Sequence, residues 1–206
     1  MLTVLTYWCY LFIITSILGV GFQGVSKLKK VHPVITLFLG GFTTAIIASS
    51  WAIFSGLQGY FESTLLIFTI TIAIWKRKEY GSFLLSLKAK INTLPSYLNI
   101  LFGIIILFAV AQSASAPYII DNESYYIQTI KWLDTYGYVK GLANFHFFLG
   151  QTSGWHILQS ALNLDILSDR INDINGFYLV LGNFYAFDAL SQYFKQKKKL
   201  LLIIGS

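Results

Sequence analysis

Apolar positions in this chain come in long blocks separated by short polar clusters, rather than in alternation. A bilayer core of about 30 Å takes roughly 20 residues of helix. By that measure the blocks at 4 to 25, 34 to 54, 59 to 75, 98 to 117 and 174 to 194 predict five complete membrane spans. The block at 59 to 75 is short but dense in Leu, Ile, Phe and Thr, and Tyr60 and Trp75 bracket it as interfacial aromatics do. A further run, LLLIIGS, begins at Leu200 and stops after seven residues. It reads as the start of a sixth span, and so as the mark of a fragment.

Two of the connecting segments carry helical patterns of their own. YGSFLLSLKAKIN places Leu84, Leu87 and Ile91 at helical spacing, with Lys88 and Lys90 toward the polar side. This predicts an interfacial helix at about 80 to 92. SYYIQTIKWLDTYG puts Tyr126, Ile130 and Leu133 on one face and ends at Gly137, which predicts a helix lying along a membrane surface. GLANFHFFLGQTSGWHILQSALN is apolar and aromatic but interrupted by Asn144, Gln151, Thr152 and Ser153. It belongs against the membrane surface or partly inserted in the bundle. The fold class is all-α, a multi-pass helix bundle in three parts. Residues 1 to 117 hold four spans, 118 to 172 form a helical loop, and 173 to 206 hold the fifth span, a basic cluster and the truncated sixth.

Composition agrees with the blocks: 55% of residues are hydrophobic, 12% are charged, and mean hydropathy is +0.62. The net charge of +6 does not signal a nucleic-acid partner, because the cations lie in short clusters between apolar runs. Those clusters give an orientation. Lys27, Lys29 and Lys30, then Lys76, Arg77, Lys78, Lys88 and Lys90, then Lys195 and Lys197 to Lys199, all fall on one side of the five-span count. The positive-inside rule makes that side cytoplasmic and puts the N-terminus and the 118 to 172 loop on the outer face. Cys9 is the only cysteine, so an intramolecular disulfide is impossible.

Candidate chemistry gathers in the outer loop. PYIIDNESYY places Asp121 and Glu123 two residues apart where the chain leaves its fourth apolar block. They can cap the helix that follows, favouring its positive end. They can equally converge on a divalent cation, or take a proton from an acceptor hydroxyl. The same loop holds His146, His156, Lys131, Lys140 and Arg170, so acid, base and anion-binding groups share one face. The ten-residue spacing of the two histidines is not a metal motif. Asp188, inside the fifth block, is explained by local pairing near its basic end as well as by function.

The run PYIIDNESYYIQTIKWLDTYGYVKGLANFHFFLGQTSGWH resembles the outer loop of uncharacterised bacterial multi-pass membrane proteins that are similar to GT-C type glycosyltransferases. The resemblance extends over the whole chain as the N-terminal part of such a protein and is strongest from Ala109 to Ala161. It implies a bacterial cytoplasmic-membrane enzyme of cell-envelope glycan assembly, with a polyprenyl-phosphate-linked sugar donor as partner beside the lipid bilayer. It also implies that Asp121 and Glu123 are the acidic motif, coordinating Mg2+ or Mn2+ or activating the acceptor. His146, His156 and Lys140 are the accompanying substrate-binding candidates. In many GT-C enzymes the acidic loop follows the first span rather than the fourth, and carries adjacent acids or D-x-D where this chain has Asp-Asn-Glu. Without the helices that complete a donor site, the fragment itself is expected to be inactive. A non-catalytic scaffold or transporter, in which the acids only cap a helix, and the product of a disrupted gene are the competing expectations.

Overall fold

A computed structural model of the chain describes residues 1–28, 31–115, 122–164 and 173–204, with the side chains of 122–123 and 198–204 outside the description. The described residues are helical, without a strand. In chain order the helices are α1 (Leu2–Ser26), α2 (Pro33–Trp51), α3 (Tyr60–Trp75), α4 (Arg77–Thr93), α5 (Ser96–Ser113), α6 (Ile127–Tyr136), α7 (Leu142–Phe145), α8 (Gly154–Ala161) and α9 (Ile174–Ile204). A π-helical turn, Asn122–Tyr126, leads into α6, and a 3-10 turn, Phe147–Gly150, lies between α7 and α8.

Among the described residues, three helices are long and apolar enough to cross a membrane: α1, α2 and α5. The expectation of five complete spans is therefore not met by length and composition alone. Helix α3 has 16 residues, a rise of about 24 Å against a core of about 30 Å. Helix α9 has 31 residues, but Asn175, Asn183, Asp188, Ser191 and Gln192 interrupt its apolar run. It also continues without a break through the lysines at 195 to 199 into the apolar residues from Leu200. Lys and Gln are good helix formers and neither Gly nor Pro occurs between 183 and 204, so nothing in that stretch ends the helix.

Helix α1 is the centre of the bundle. Buried residues make up 67% of its apolar window, against 17% for α5, and α2, α3, α4, α5 and α9 all pack on it. Its approach to α2 is the closest of these. A Cβ on Gly40 would overlap the Thr15 carbonyl oxygen, and one on Gly19 would overlap that of Thr36. Only glycine permits this backbone spacing, the device that lets apolar helices associate where burial from water supplies no drive. Tyr7, Leu11 and Leu18 of α1 and Phe61 of α3 complete a core that reaches α8 and α9 through Ala161 and Tyr178.

Helix α4 forms where the pattern predicts it, with a different face inward. Phe83 is buried and Tyr80 and Leu87 pack on the core, whereas Leu84 and Ile91 are exposed. The inward stripe is 80, 83, 87 and 90, so Lys90 turns into the structure rather than to the polar side. It meets Asp188 of α9 at 2.7 Å, and the same carboxylate oxygen receives His32 Nε2–H at 3.2 Å and the Gln192 amide. Lys195 donates instead to the Thr93 carbonyl at 2.8 Å.

At the opposite end, residues 122–164 form a lobe tied to the bundle by backbone bonds. Leu57 and Gln58 donate to Leu133 and Asp134 of α6, and Tyr138 donates to Ala52 at 2.7 Å. Gly137, at φ 73, caps α6 as expected, and a Cβ there would overlap the Ala52 carbonyl. Helix α8 is inserted rather than superficial: Ile157 to Ala161 are buried against α2 and α6.

Candidate functional site

The lobe is organised by the π-helical turn. Its wider winding carries Tyr125 and Tyr126 on successive positions, with ring centroids 4.4 Å apart, before α6 resumes regular geometry. Such turns recur at functional sites because they displace side chains from the regular helical stripe. Tyr125 stacks on Phe148 at 4.8 Å and faces His146 at 6.4 Å. Tyr126 packs on His156 at 5.5 Å. The two histidines, ten residues apart in sequence, are thus brought against adjacent tyrosines that follow Glu123 within three positions.

His146 is exposed, and His156 is half-buried. Ser153 and His156 form a reciprocal cap at the start of α8. The Ser153 hydroxyl accepts the His156 backbone N–H at 3.3 Å, and His156 Nδ1 accepts the Ser153 backbone N–H at 3.2 Å. This is the capping-box arrangement with histidine in the usual Glu or Gln position. Accepting at Nδ1 leaves the proton of the neutral imidazole on Nε2. Burial pushes the His156 pKa below the usual histidine value, which keeps the ring neutral and able to exchange a proton at Nε2.

Beneath the turn lies a buried polar layer. The Thr129 hydroxyl donates to the Tyr125 carbonyl at 2.8 Å, and the Ser160 hydroxyl donates to Asp134 at 3.5 Å. Asp134 is only 7% exposed, because α8 covers that face of α6. On the flank of the lobe, Thr129, Trp132, Tyr138, Leu142, Leu149 and Thr152 line a half-open cavity of about 320 Å3.

Asp121 lies outside the described residues, as does the side chain of Glu123, whose backbone belongs to the π-helical turn. Arg170 lies outside them too. Lys140 is exposed between α6 and α7, and no ion pair among the described residues involves it. For a divalent cation the donor set is incomplete among the described residues: no three His, Cys, Asp or Glu side chains there converge on one point. His156 Nδ1 is also committed to its cap. The ring cluster offers flat aromatic faces beside two imidazoles, a surface suited to hydroxyl-bearing rings and to phosphate oxygens.

A second polar site, at the basic end, gathers around Asp188, whose partners His32 and Lys90 sequence reasoning missed. His32 caps α2 by accepting the Val34 N–H at Nδ1, 3.2 Å, and gives its Nε2–H to Asp188. Burial lowers its pKa, against the opposing pull of Asp188. The legible signal was His-Pro, a cap residue followed by proline at the first helical position. At Ser153 it was the Ser-x-x-His spacing.

No curated protein and no solved structure matches this chain. One family model covers it from residue 1 to residue 206, and the chain accordingly belongs to the family described as a domain of unknown function, DUF8201.

Proposed function

We propose that the chain is the membrane-embedded part of a GT-C-like transferase that takes a sugar from a polyprenyl-phosphate-linked donor during bacterial cell-envelope glycan assembly. The observation that carries this reading is the ring cluster. Tyr125 and Tyr126, two and three residues after Glu123, hold His146 and His156 at centroid distances of 6.4 and 5.5 Å. An acidic turn, two imidazoles and exposed aromatic faces then share one end of a bundle whose helices can reach a lipid-borne substrate. Phe145 and Phe147, 92% and 69% exposed, give that end an apolar skirt for contact with acyl chains.

In this reading Asp121 or Glu123 takes the proton of an acceptor hydroxyl as its oxygen attacks the anomeric carbon. The bond from that carbon to phosphate oxygen breaks, and polyprenyl phosphate departs with the electron pair. His146, His156 and Lys140 hold phosphate oxygens. Mg2+ or Mn2+, if bound, would be held by Asp121 and Glu123 and would offset phosphate charge. All five apolar blocks cross the bilayer, α3 with little tilt and local thinning. The N-terminus and the 122–164 lobe face outward.

The test is transfer from a polyprenyl-phosphate sugar by the full-length protein in nanodiscs, with and without Mn2+ or Mg2+, against an Asp121→Asn, Glu123→Gln variant. A loss of roughly a hundredfold or more is expected on removing a general base. Undiminished transfer at normal expression would sink the proposal. A non-catalytic scaffold is the second reading, favoured by the reciprocal cap that commits Ser153 and His156 to structure. It predicts no transfer, and effects of the acids on stability alone.

A further inference from the structure

Away from the lobe, side chains of α1 and α3 line a groove of about 460 Å3 that reaches the first residue of α4. Its rims are bare aliphatic side chains, with Ile13 49%, Leu66 42%, Ile70 58% and Ile74 70% exposed. Its floor offers no free polar group. Ile14 and Ile17 are buried, and the one hydroxyl there, on Thr69, is spent on the Leu65 carbonyl at 2.7 Å. A polar ligand gains nothing from such a surface, whereas a hydrocarbon chain does.

One cation closes the groove. Arg77, the first residue of α4, lines its basic end, is exposed, and takes part in none of the ion pairs among the described residues. Its neighbour Lys76 is engaged by Glu79 at 3.4 Å and lies 4.3 Å over the Trp75 ring. That pairing engages the Glu79 carboxylate and leaves the Arg77 guanidinium for a ligand. Trp75, 66% exposed at the same level, is the side chain expected where hydrocarbon gives way to headgroups. From Leu66 to Ile74 the groove rises about 12 Å, within the depth of one leaflet of a core about 30 Å thick.

The geometry points to a phospholipid site: one acyl chain lies along the α1–α3 groove, and an anionic phosphate headgroup pairs with the Arg77 guanidinium. Charge complementarity selects an anionic lipid over a zwitterionic one, and the planar guanidinium can meet two phosphate oxygens at once. This site lies at the opposite end from the lobe, and it stands or falls independently of the transferase reading.

The experiment is native mass spectrometry of the full chain released from micelles titrated with phosphatidylglycerol or phosphatidylcholine. The wild type is expected to retain phosphatidylglycerol roughly fivefold more strongly, the preference one near-surface cation can supply. Arg77→Gln removes that preference, while Lys78→Gln, an exposed neighbour, preserves most of it. Ile70→Trp, which fills the groove from an exposed position, lowers retention of both lipids. Equal retention of the two lipids by the wild type overturns the site. So do equal losses in the Arg77 and Lys78 variants, which signify a diffuse basic surface, or a lipid-free dimer formed through the groove.

Discussion

Lys90 of α4 and Asp188 of α9 meet at 2.7 Å across 98 residues of chain, and the carboxylate that Lys90 shares with His32 is only 5% exposed. A buried ion pair of this kind contributes little over an apolar replacement, but breaking it from one side leaves an uncompensated charge. Lys90→Ala is therefore expected to lower stability by about 3 kcal/mol. Asp188→Asn should cost less, because the ammonium it leaves unpaired, on Lys90, is 30% exposed and can be hydrated, and the amide oxygen still accepts from it. Thermal unfolding in detergent, followed by tryptophan fluorescence, gives the order. If the asparagine variant proves the weaker of the two, the carboxylate is not the group that carries the penalty.

The α1–α2 contact makes a contrast among glycines. Gly40→Ala must push α1 and α2 apart at the Thr15 carbonyl, with an expected loss of about 2 kcal/mol or more. Gly103 of α5 has open space at the same atom, and Gly103→Ala should be neutral or stabilising by about 0.5–1 kcal/mol. Equal melting temperatures for the two variants would mean that the helices separate without cost.

His156 links the lobe to pH. Its folded pKa lies below the usual value of about 6.5, so the unfolded chain binds the extra proton more readily. The stability it contributes is present above about pH 6.5 and is lost as pH falls through that value toward the folded pKa. Melting temperature measured from pH 8 to pH 5 should decline, and the decline should be shallower in His156→Gln. His32 is shifted in the same direction and retains its share of the slope in that variant. An unaltered slope would remove His156 as a source of the pH dependence.

Gly137 joins lobe and bundle. Its φ of 73 and the nearby Ala52 and Ser55 carbonyls leave no room for a side chain. Gly137→Ala is expected to loosen the lobe before the bundle, so limited proteolysis should cut within 122–164 while α1 and α2 stay protected. Simultaneous loss of both would show that lobe and bundle unfold as one unit.

Helix type and position were largely legible in the sequence, because long apolar blocks, the stop at Gly137 and the start at Pro33 act locally. The inward face of α4 was not. Leu84 and Ile91 fit a helical stripe as well as Phe83 and Leu87 do, and only the position of α1 and α9 decides between them. The burial of Asp134 was not legible for the same reason, since α8, twenty residues onward, covers the face of α6 that carries it. Of the site, the pairing of each histidine with a tyrosine depends on the π-helical turn, which advances the register by a fraction that no simple periodicity reveals.

The unbroken course of α9 has a mechanical meaning. Asp173, just before it, receives the Trp8 indole N–H at 3.1 Å and caps Gly176 at 3.0 Å, while Asp188 is gripped by Lys90 fifteen residues later. These two fastenings stand about 22 Å apart along a rod with no hinge between them. Trp155 of α8 holds Asn175 at 2.8 Å, so one continuous helix joins α8 to the cluster of His32, Lys90 and Asp188. The two ends of the molecule share one lever.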